Sequence, residues 1–291
     1  SLDRLAQAEV DPSSSAHFIA ERARELSLEA QLVEAVGTGA FPRLACARYP
    51  LPRGNLAEAC ESTARTWIAD KSEKSRTEQS HFLSDDRSER NSLWSVMSKR
   101  IGQLRLPVRL RIDSNLMSVA ACGTESVTIR GGTWLTAMAA RRIAEHEIVG
   151  HLLPRQNACR RTDILHCGCA SATDDEEGRA LLIEERQGLM DASRRIELAT
   201  RHLACLFLRR GATFIDSVRC LVDWGAPLEI ALRSAVRASR GGGMGREIVY
   251  LPAMQRLAPA FASNPSLESC FEMGRASLEY ALARQAQHRA A

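Results

Sequence analysis

The stretch AEHEIVGHLLP, residues Ala144 to Pro154, combines helical spacing with two histidines and a glutamate. His146 and His151 are five residues apart, whereas the HExxH motif of zinc peptidases places its histidines at i and i+4 on one helix face. In a regular α-helix, a spacing of five rotates the second histidine by roughly 140° from the first. A single π-type turn with i to i+5 hydrogen bonds brings both onto one face, and Gly150 leaves room for that distortion. If the histidines share a metal, the helix must therefore bulge between them.

A candidate for the third ligand follows about 25 residues downstream in DDEEGRA, residues Asp174 to Ala180. A catalytic zinc ion takes three protein ligands and keeps one position for water, so the histidine pair needs Glu176 or Glu177 as a partner. Taken alone, a glutamate pair in the first turn of a helix compensates the helix dipole, and two histidines can be ordinary helix residues. Taken together, they resemble the glutamate-zincins, in which a second, downstream helix supplies the third ligand. The combination favours a metal site.

The composition is that of a soluble globular protein. The 291 residues are 45% hydrophobic and 25% charged, and the net charge of +4 arises from 39 basic and 35 acidic residues spread along the chain. We therefore expect no nucleic-acid partner, and no membrane partner because no run approaches the roughly 20 apolar residues of a span. Nine irregularly spaced cysteines indicate free thiols in a reducing compartment. Because SLDRLAQAEV lacks the features of a secretory signal, we expect a cytoplasmic protein; the oligomeric state is not indicated.

Hydrophobic spacing predicts that the first hundred residues are helical. The predicted helices begin behind Ser13–Ser15, run from Asn55 to about Arg76, and run from Asp86 to about Leu104. Helical spacing returns from Asp174 to the C-terminus. We expect an N-terminal helical region, 1–100, packed on a zincin-like region, 101–291, in one compact domain.

Two segments before the histidine helix alternate apolar and charged residues, which is typical of strands. They are PVRLRID (Pro107 to Asp113) and ESVTIR (Glu125 to Arg130). Thr133 is the predicted N-cap of the helix that follows. The predicted fold class is thus α+β: mainly helical and zincin-like, with a small mixed or antiparallel sheet preceding the HExxxH helix. ESVTIR is expected to be an edge strand on which an extended peptide adds, or else part of the sheet core.

Several motifs, in order, resemble the microtubule-associated tyrosine carboxypeptidases and their bacterial relatives, the QEGLA-motif proteins. HEIVGH (His146 to His151) is similar to HEIGTH, and DEEGRA is similar to QEGLA, with Glu177 as the shared glutamate. HLLPRQN is similar to HLLRGxN, with Asn157 in the asparagine place. Further on, VRASRGG resembles VRAKRG, and REIVYL (Arg246 to Leu251) resembles a segment that ends in VYL. The resemblance covers roughly residues 45 to 260.

The chain also departs from this pattern. Pro154 replaces an arginine, Arg179 replaces a leucine, Ser239 replaces a lysine, and Val149-Gly150 replaces a glycine–threonine pair. These departures change candidate pocket residues but remove no proposed ligand.

The resemblance implies a zinc metallopeptidase that releases a C-terminal residue from peptides or proteins. His146, His151 and Glu177 would bind Zn²⁺. Glu147 would accept the proton of the attacking water and return it to the leaving amine. Tyr250 would donate to the oxyanion, unless it is an ordinary core tyrosine.

Substrate contacts are assigned to Asn157 and to Arg240 or Arg246, because a carboxypeptidase must bind a terminal carboxylate and a guanidinium does so in a bidentate way. Solvent exposure is the alternative for both arginines. HCGC (His166 to Cys169) is interpreted as a polar loop with free thiols rather than a second metal site, and RGGGMG (Arg240 to Gly245) as a flexible loop rather than a phosphate cradle.

Two other functions fit the same residues. One is a catalytically silent relative that binds peptides or a protein partner through the same cleft, and the other is a metal-dependent amide hydrolase. The substrate is not defined by the sequence, although the resemblance implies an aromatic or methionine C-terminal residue.

Overall fold

The structure is a computed structural model that describes residues 2–6, 15–70 and 80–290. The helical elements of these ranges are, in chain order, α1 (Leu2–Ala6), α2 (Ser15–Glu34), α3 (Phe41–Arg48), α4 (Gly54–Ala69), α5 (Leu93–Gln103), α6 (Ala137–Ala144), the π-helical segment (Glu145–Leu152), α7 (Leu153–Ala158), α8 (Ile164–Cys167), α9 (Ala172–Arg186), α10 (Ala192–Arg209), α11 (Phe214–Asp223), α12 (Leu228–Gly243), the 3₁₀ segment (Arg246–Val249), α13 (Tyr250–Ser263), α14 (Ser266–Met273) and α15 (Leu278–Ala290). The predicted caps Ser13 and Ser14, and the end of the helix expected to reach Arg76, lie outside the described residues.

In the part of the chain that the structure describes, short strands form two small sheets. The strands are β1 (His81–Leu83), β2 (Arg109–Ile112), β3 (Ala120–Cys122), β4 (Ser126–Ile129) and β5 (Trp134–Thr136). One sheet has the order β2-β4-β3, with β2 parallel and β3 antiparallel to β4, and the other pairs β1 with β5 in antiparallel fashion. The predicted α+β class, mainly helical with a small mixed sheet before the histidine helix, is confirmed.

The expectation that Glu125 to Arg130 forms an edge strand is wrong. These residues form β4, and both of its sides are hydrogen-bonded, to β2 on one side and to β3 on the other. Its buried side chains, Val127 and Ile129, belong to the core. An extended peptide therefore has no free edge on this strand, and β3 is the edge strand that lies next to the π-helical segment.

Side-chain caps fix where several helices begin. Ser92, Thr136 and Asp191 each accept the backbone N–H of the residue three positions later. The predicted N-cap Thr133 is wrong, because its backbone pairs with Ser84 and the next three residues form β5 before α6 begins. Strand pairing across distant residues overrides the local helical pattern here.

The described residues form two apolar clusters that meet at the histidine segment. The smaller cluster joins α5, the three-stranded sheet and the π-helical segment, which contributes Ile148 and Leu152. The larger one joins the N-terminal and C-terminal helices and includes Leu181 and Leu182 of α9. Because α9 packs against both the π-helical segment and α13, it lies at the junction. The division near residue 100 stays a prediction.

Two further features concern the whole described chain. All nine cysteines are free thiols. Over residues 2–6, 15–70 and 80–290, no helix has the length and apolar content that crossing a membrane requires.

Candidate metal centre

The helix that carries both histidines is π-helical from Glu145 to Leu152. At its end the N–H of Leu153 donates to the carbonyl of Ile148, five residues back. The five-residue spacing therefore places His146 and His151 on one face, with their Nε2 atoms 3.3 Å apart. The predicted bulge between the histidines is confirmed.

Glu177 of α9 completes the group. Its Oε2 atom lies 3.3 Å from Nε2 of His146 and 3.4 Å from Nε2 of His151. Glu176 occupies a different place, with Oε2 3.6 Å from Nδ1 of His151 on the far side of that ring. Of the two glutamates, Glu177 is thus the one that faces both imidazoles. Among the described residues, His146, His151 and Glu177 form the group of donors that could hold a metal ion.

The spacing of the three donor atoms suits a tetrahedral ion. Bonds of about 2.0–2.1 Å, as zinc makes to nitrogen and oxygen, put neighbouring ligand atoms roughly 3.3–3.4 Å apart in a tetrahedron. The three distances in the cluster are 3.3, 3.3 and 3.4 Å. Glu177 Oε2 is also buried without a hydrogen-bond partner, which is costly for a carboxylate unless a cation contacts it. Geometry and chemistry therefore both fit a metal ligand set.

The electrostatics of the cluster favour a positive charge at its centre. Burial alone would lower the pKa of His151, but the charge of Glu177 and the contact with Glu176 raise it to about 10. Burial alone would raise the pKa of Glu177, but the two imidazoles hold it well below its usual range. Glu177 is consequently ionised, as a metal ligand must be.

A second carboxylate, Glu184, holds His146 from behind. Its Oε1 lies 2.7 Å from His146 Nδ1, and the carboxylate is completely buried. Arg194 donates to both of its oxygens at 2.9 Å. Burial would raise the pKa of Glu184, but Arg194 and His146 lower it to about 2. Because Glu184 is ionised, it accepts from Nδ1 of His146, which leaves Nε2 as the ring nitrogen that faces Glu177.

Sequence reasoning did not identify Glu184. The available signal was its position seven residues after Glu177 on the same helix, since seven residues make almost two complete turns and return to the same face. Glu176 is a comparable case, because it faces Nδ1 of His151 as Glu184 faces Nδ1 of His146. One helix thus supplies a carboxylate between the rings and one behind each ring.

Two glycines allow this close packing. A Cβ atom on Gly150 would lie 2.6 Å from Cβ of Ala180, so no larger residue fits between the π-helical segment and α9. A Cβ atom on Gly178 would lie 2.6 Å from backbone and side-chain atoms of Ala253 on α13. Gly150, expected to ease the helix distortion, is therefore also needed for the approach of two helices.

Three other predicted residues lie at or beside the cluster. Glu147 is half-buried on the π-helical segment, and its charge contributes to the raised pKa of His151. Tyr250 is buried at the start of α13, where burial and then the charge of Glu177 raise the pKa of its hydroxyl. Arg246 places Nη2 3.1 Å from Oε1 of Glu177, the oxygen on the other side of that carboxylate.

Two residues predicted to bind the substrate, Arg240 and Asn157, have no described contact with the cluster. Arg240 is exposed at the end of α12. Asn157 donates its side-chain amide to the backbone carbonyl of Glu272 at 2.7 Å, which ties α7 to α14.

HCGC is only partly the loop that was predicted, because His166 and Cys167 end α8 and only Gly168 and Cys169 follow it, whereas the glycine-rich run does leave helical geometry from Arg240 onward. In HCGC, Nδ1 of His166 lies 3.0 Å from the carbonyl of Ala158, while Cys167 is exposed and Cys169 is buried. The glycine-rich run after Arg240 has positive φ at several positions, and Gly241 rests against the ring of Phe41. Neither motif forms a second group of metal donors in the part of the chain that the structure describes.

Comparison with known proteins identifies a family to which the chain is similar. A search of curated proteins finds no match to the chain. The family model for the microtubule-associated tyrosine carboxypeptidases matches residues 1–285. With nearly its whole length matched, and with a histidine–histidine–glutamate group that could hold a metal ion, the chain belongs to the microtubule-associated tyrosine carboxypeptidase family.

Proposed function

We propose that the protein is a zinc-dependent metallocarboxypeptidase that releases the C-terminal residue of a peptide or protein. The observation that carries the proposal is the set of three donor atoms on His146, His151 and Glu177, separated by 3.3, 3.3 and 3.4 Å. The match to the family of microtubule-associated tyrosine carboxypeptidases supports carboxypeptidase activity at this candidate site. Neutral imidazoles and one carboxylate are a typical donor set for catalytic zinc.

When bound, zinc supplies Lewis acidity that makes a water molecule nucleophilic near pH 7. Glu147 would be the base: one of its carboxylate oxygens would accept a proton from the attacking water as the water oxygen bonds to the scissile carbonyl carbon. As the C–N bond breaks, the same carboxyl group donates the proton to the leaving nitrogen. Its position directly after His146 and its partial exposure support this role, because substrate must reach it.

Tyr250 is proposed to donate its hydroxyl hydrogen to the carbonyl oxygen as negative charge develops there. The charge of Glu177 and the burial of the ring raise its pKa, so the phenol keeps its proton at neutral pH. A neutral, buried donor beside the reacting carbonyl stabilises the transition state more than the ground state.

Arg246 is proposed to bind the terminal carboxylate of the substrate. The guanidinium uses one nitrogen on Glu177 and remains 39% exposed. Since an arginine has five N–H donors, several stay available for a bidentate contact with an incoming carboxylate. Of the two arginines, Arg246 is the better candidate, because its described contacts include the proposed ligand Glu177 and those of Arg240 do not.

The test compares matched peptides with free and amidated C-termini, incubated with the zinc-loaded protein and followed by mass spectrometry. We expect release of a single terminal residue from the free peptides only. The Glu147→Gln variant should bind zinc normally and lose about 10²–10⁴-fold in rate, as expected for removal of a general base. Glu145→Gln is the matched control, since Glu145 lies on the same segment but pairs with Arg100.

Three outcomes would contradict the proposal. If the protein bound no zinc, or kept its zinc when Glu177 is replaced by alanine, the proposed set of three ligands would be wrong. Peptides that bind and remain intact would identify a catalytically silent binding protein. Cleavage of amidated peptides or small acyl amides at equal rates would identify a general amide hydrolase instead.

A further inference from the structure

The π-helical segment contains a carbonyl that its own helix cannot satisfy. In such a segment the carbonyl of residue i accepts from the N–H of residue i+5, as Ile148 does from Leu153. The next acceptor is Val149, whose partner would be Pro154, and proline has no N–H. Pro154 is buried, so water is a poor substitute there. A buried carbonyl without a donor would weaken this turn.

Arg179 supplies the missing donor. Its Nη1 atom lies 3.0 Å from the carbonyl oxygen of Val149. The side chain is 2% exposed, and Glu268 and Glu272 contact its other nitrogens at 3.8 and 3.5 Å. A hydrogen bond from a charged guanidinium to this partly buried carbonyl is stronger than the hydrogen bond from a backbone N–H that it replaces.

The position of this bond relates it to the ligands. Val149 precedes His151 by two residues, and Arg179 follows Glu177 by two residues. One hydrogen bond thus joins the two helical elements beside the points where each contributes a donor atom. Two departures from the family pattern meet at this carbonyl, because Pro154 cannot donate to Val149 and Arg179 donates instead.

We infer that Arg179 is a positioning residue that holds the π-helical turn, and with it His151, at binding distance from Glu177. This inference rests on the proposed metal function. Arg179 does not contact the donor atoms themselves in any described interaction. Its effect is exerted through the Val149 carbonyl.

The test is a double-mutant cycle between Arg179→Met and Pro154→Ala. The first change removes the donor, and the second restores the N–H that can donate to Val149. Zinc affinity is measured by competition with a chromophoric chelator. We expect Arg179→Met to weaken zinc binding about 10–100-fold, as loss of an outer-sphere partner does. Pro154→Ala should bind zinc normally, and the double variant should recover to within about threefold of it.

Amide hydrogen exchange of the zinc-free protein over residues 145–153 is the second readout. Arg179→Met should accelerate exchange there, and addition of Pro154→Ala should restore protection. If Arg179→Met does not fold, the same cycle is run with Arg179→Lys, which keeps the charge but not the planar fork.

The outcomes are distinguishable. If the wild-type protein did not bind zinc, the proposed function would be contradicted. Amide hydrogen exchange of the zinc-free protein would still test whether the Arg179–Val149 hydrogen bond stabilises the turn. A double variant that binds zinc no better than Arg179→Met, or that shows no recovery of protection, overturns the positioning role and leaves Arg179 as a buried packing residue. Wild-type zinc affinity in Arg179→Met overturns it as well.

Discussion

Replacement of Gly150 by alanine tests how tightly the site depends on helix packing. The new Cβ would lie 2.6 Å from Cβ and 3.3 Å from Cα of Ala180, whereas carbon atoms in contact are about 3.5–4.0 Å apart. Since the obstructing atoms belong to the backbone and a Cβ, no rotamer change relieves the clash. The π-helical segment and α9 must therefore separate by about 1 Å. Overpacking of this kind costs about 1–3 kcal/mol, and alanine recovers up to about 1 kcal/mol in helix propensity.

We expect Gly150→Ala to lower the free energy of unfolding by about 1–2 kcal/mol, measured by urea denaturation of the zinc-free protein. Zinc affinity should fall at least about tenfold, because metal–ligand distances tolerate only about 0.2 Å. His151 directly follows the substituted residue, so it moves with the segment.

Gly102→Ala is the matched control. Gly102 is an exposed helical glycine of α5 whose added Cβ would meet no atom within 4 Å. It should gain up to about 1 kcal/mol from helix propensity and leave zinc binding unchanged. If Gly150→Ala behaved like this control in both assays, the close approach of the two helices would not determine the site.

Three further predictions concern single side chains. Glu184→Gln should weaken zinc binding about 10–100-fold in chelator competition, because an amide holds His146 Nδ1 less strongly than a carboxylate does; unchanged affinity would remove Glu184 from the site. Tyr250→Phe should lower kcat about 10²–10³-fold with little change in KM in peptide assays, and an unchanged kcat would leave it as a core tyrosine. His202 is fully buried and its pKa is lowered to about 4, with burial as the main cause. Between about pH 6.5 and 4 only the unfolded chain binds a proton at this histidine. As the pH falls through that window, the free energy of unfolding of wild type should therefore drop by about 3 kcal/mol more than that of His202→Leu. Urea denaturation at several pH values measures both, and the same pH dependence in the two proteins would contradict this.

The candidate metal-binding histidines could be predicted from the sequence because their signal is local. The spacing of His146 and His151 admits a shared metal only if the helix bulges, and the observed π-helical segment has that form. The E-G pattern selected Glu177, although either glutamate of the pair remained open. The histidine spacing is thus decided by helix geometry within a few residues, whereas the place of Glu177 between the rings depends on the packing of α9 against the π-helical segment.

Features that depend on contacts between distant segments could not be predicted in the same way. Strand β5 has three residues and pairs with β1, so the helical pattern around Thr133 concealed it. Whether β4 lies at an edge depends on two partners, and one of them, β3, has only three residues. Asn157 matches a motif position, yet its amide contacts α14, far along the chain.

The extra residue between the histidines has a structural consequence that extends beyond the helix. A π-helical turn shifts every acceptor by one residue, so the carbonyl of Val149 must find its donor at Pro154 or elsewhere. In this chain the donor comes from Arg179, on the same helix that supplies Glu177 between the rings and Glu184 behind His146. Because α9 carries both the proposed ligand Glu177 and the side chain that donates to the widened turn, a displacement of α9 changes the donor-atom distances and the turn together. Metal affinity and protection of the turn should therefore vary in parallel across variants at this interface.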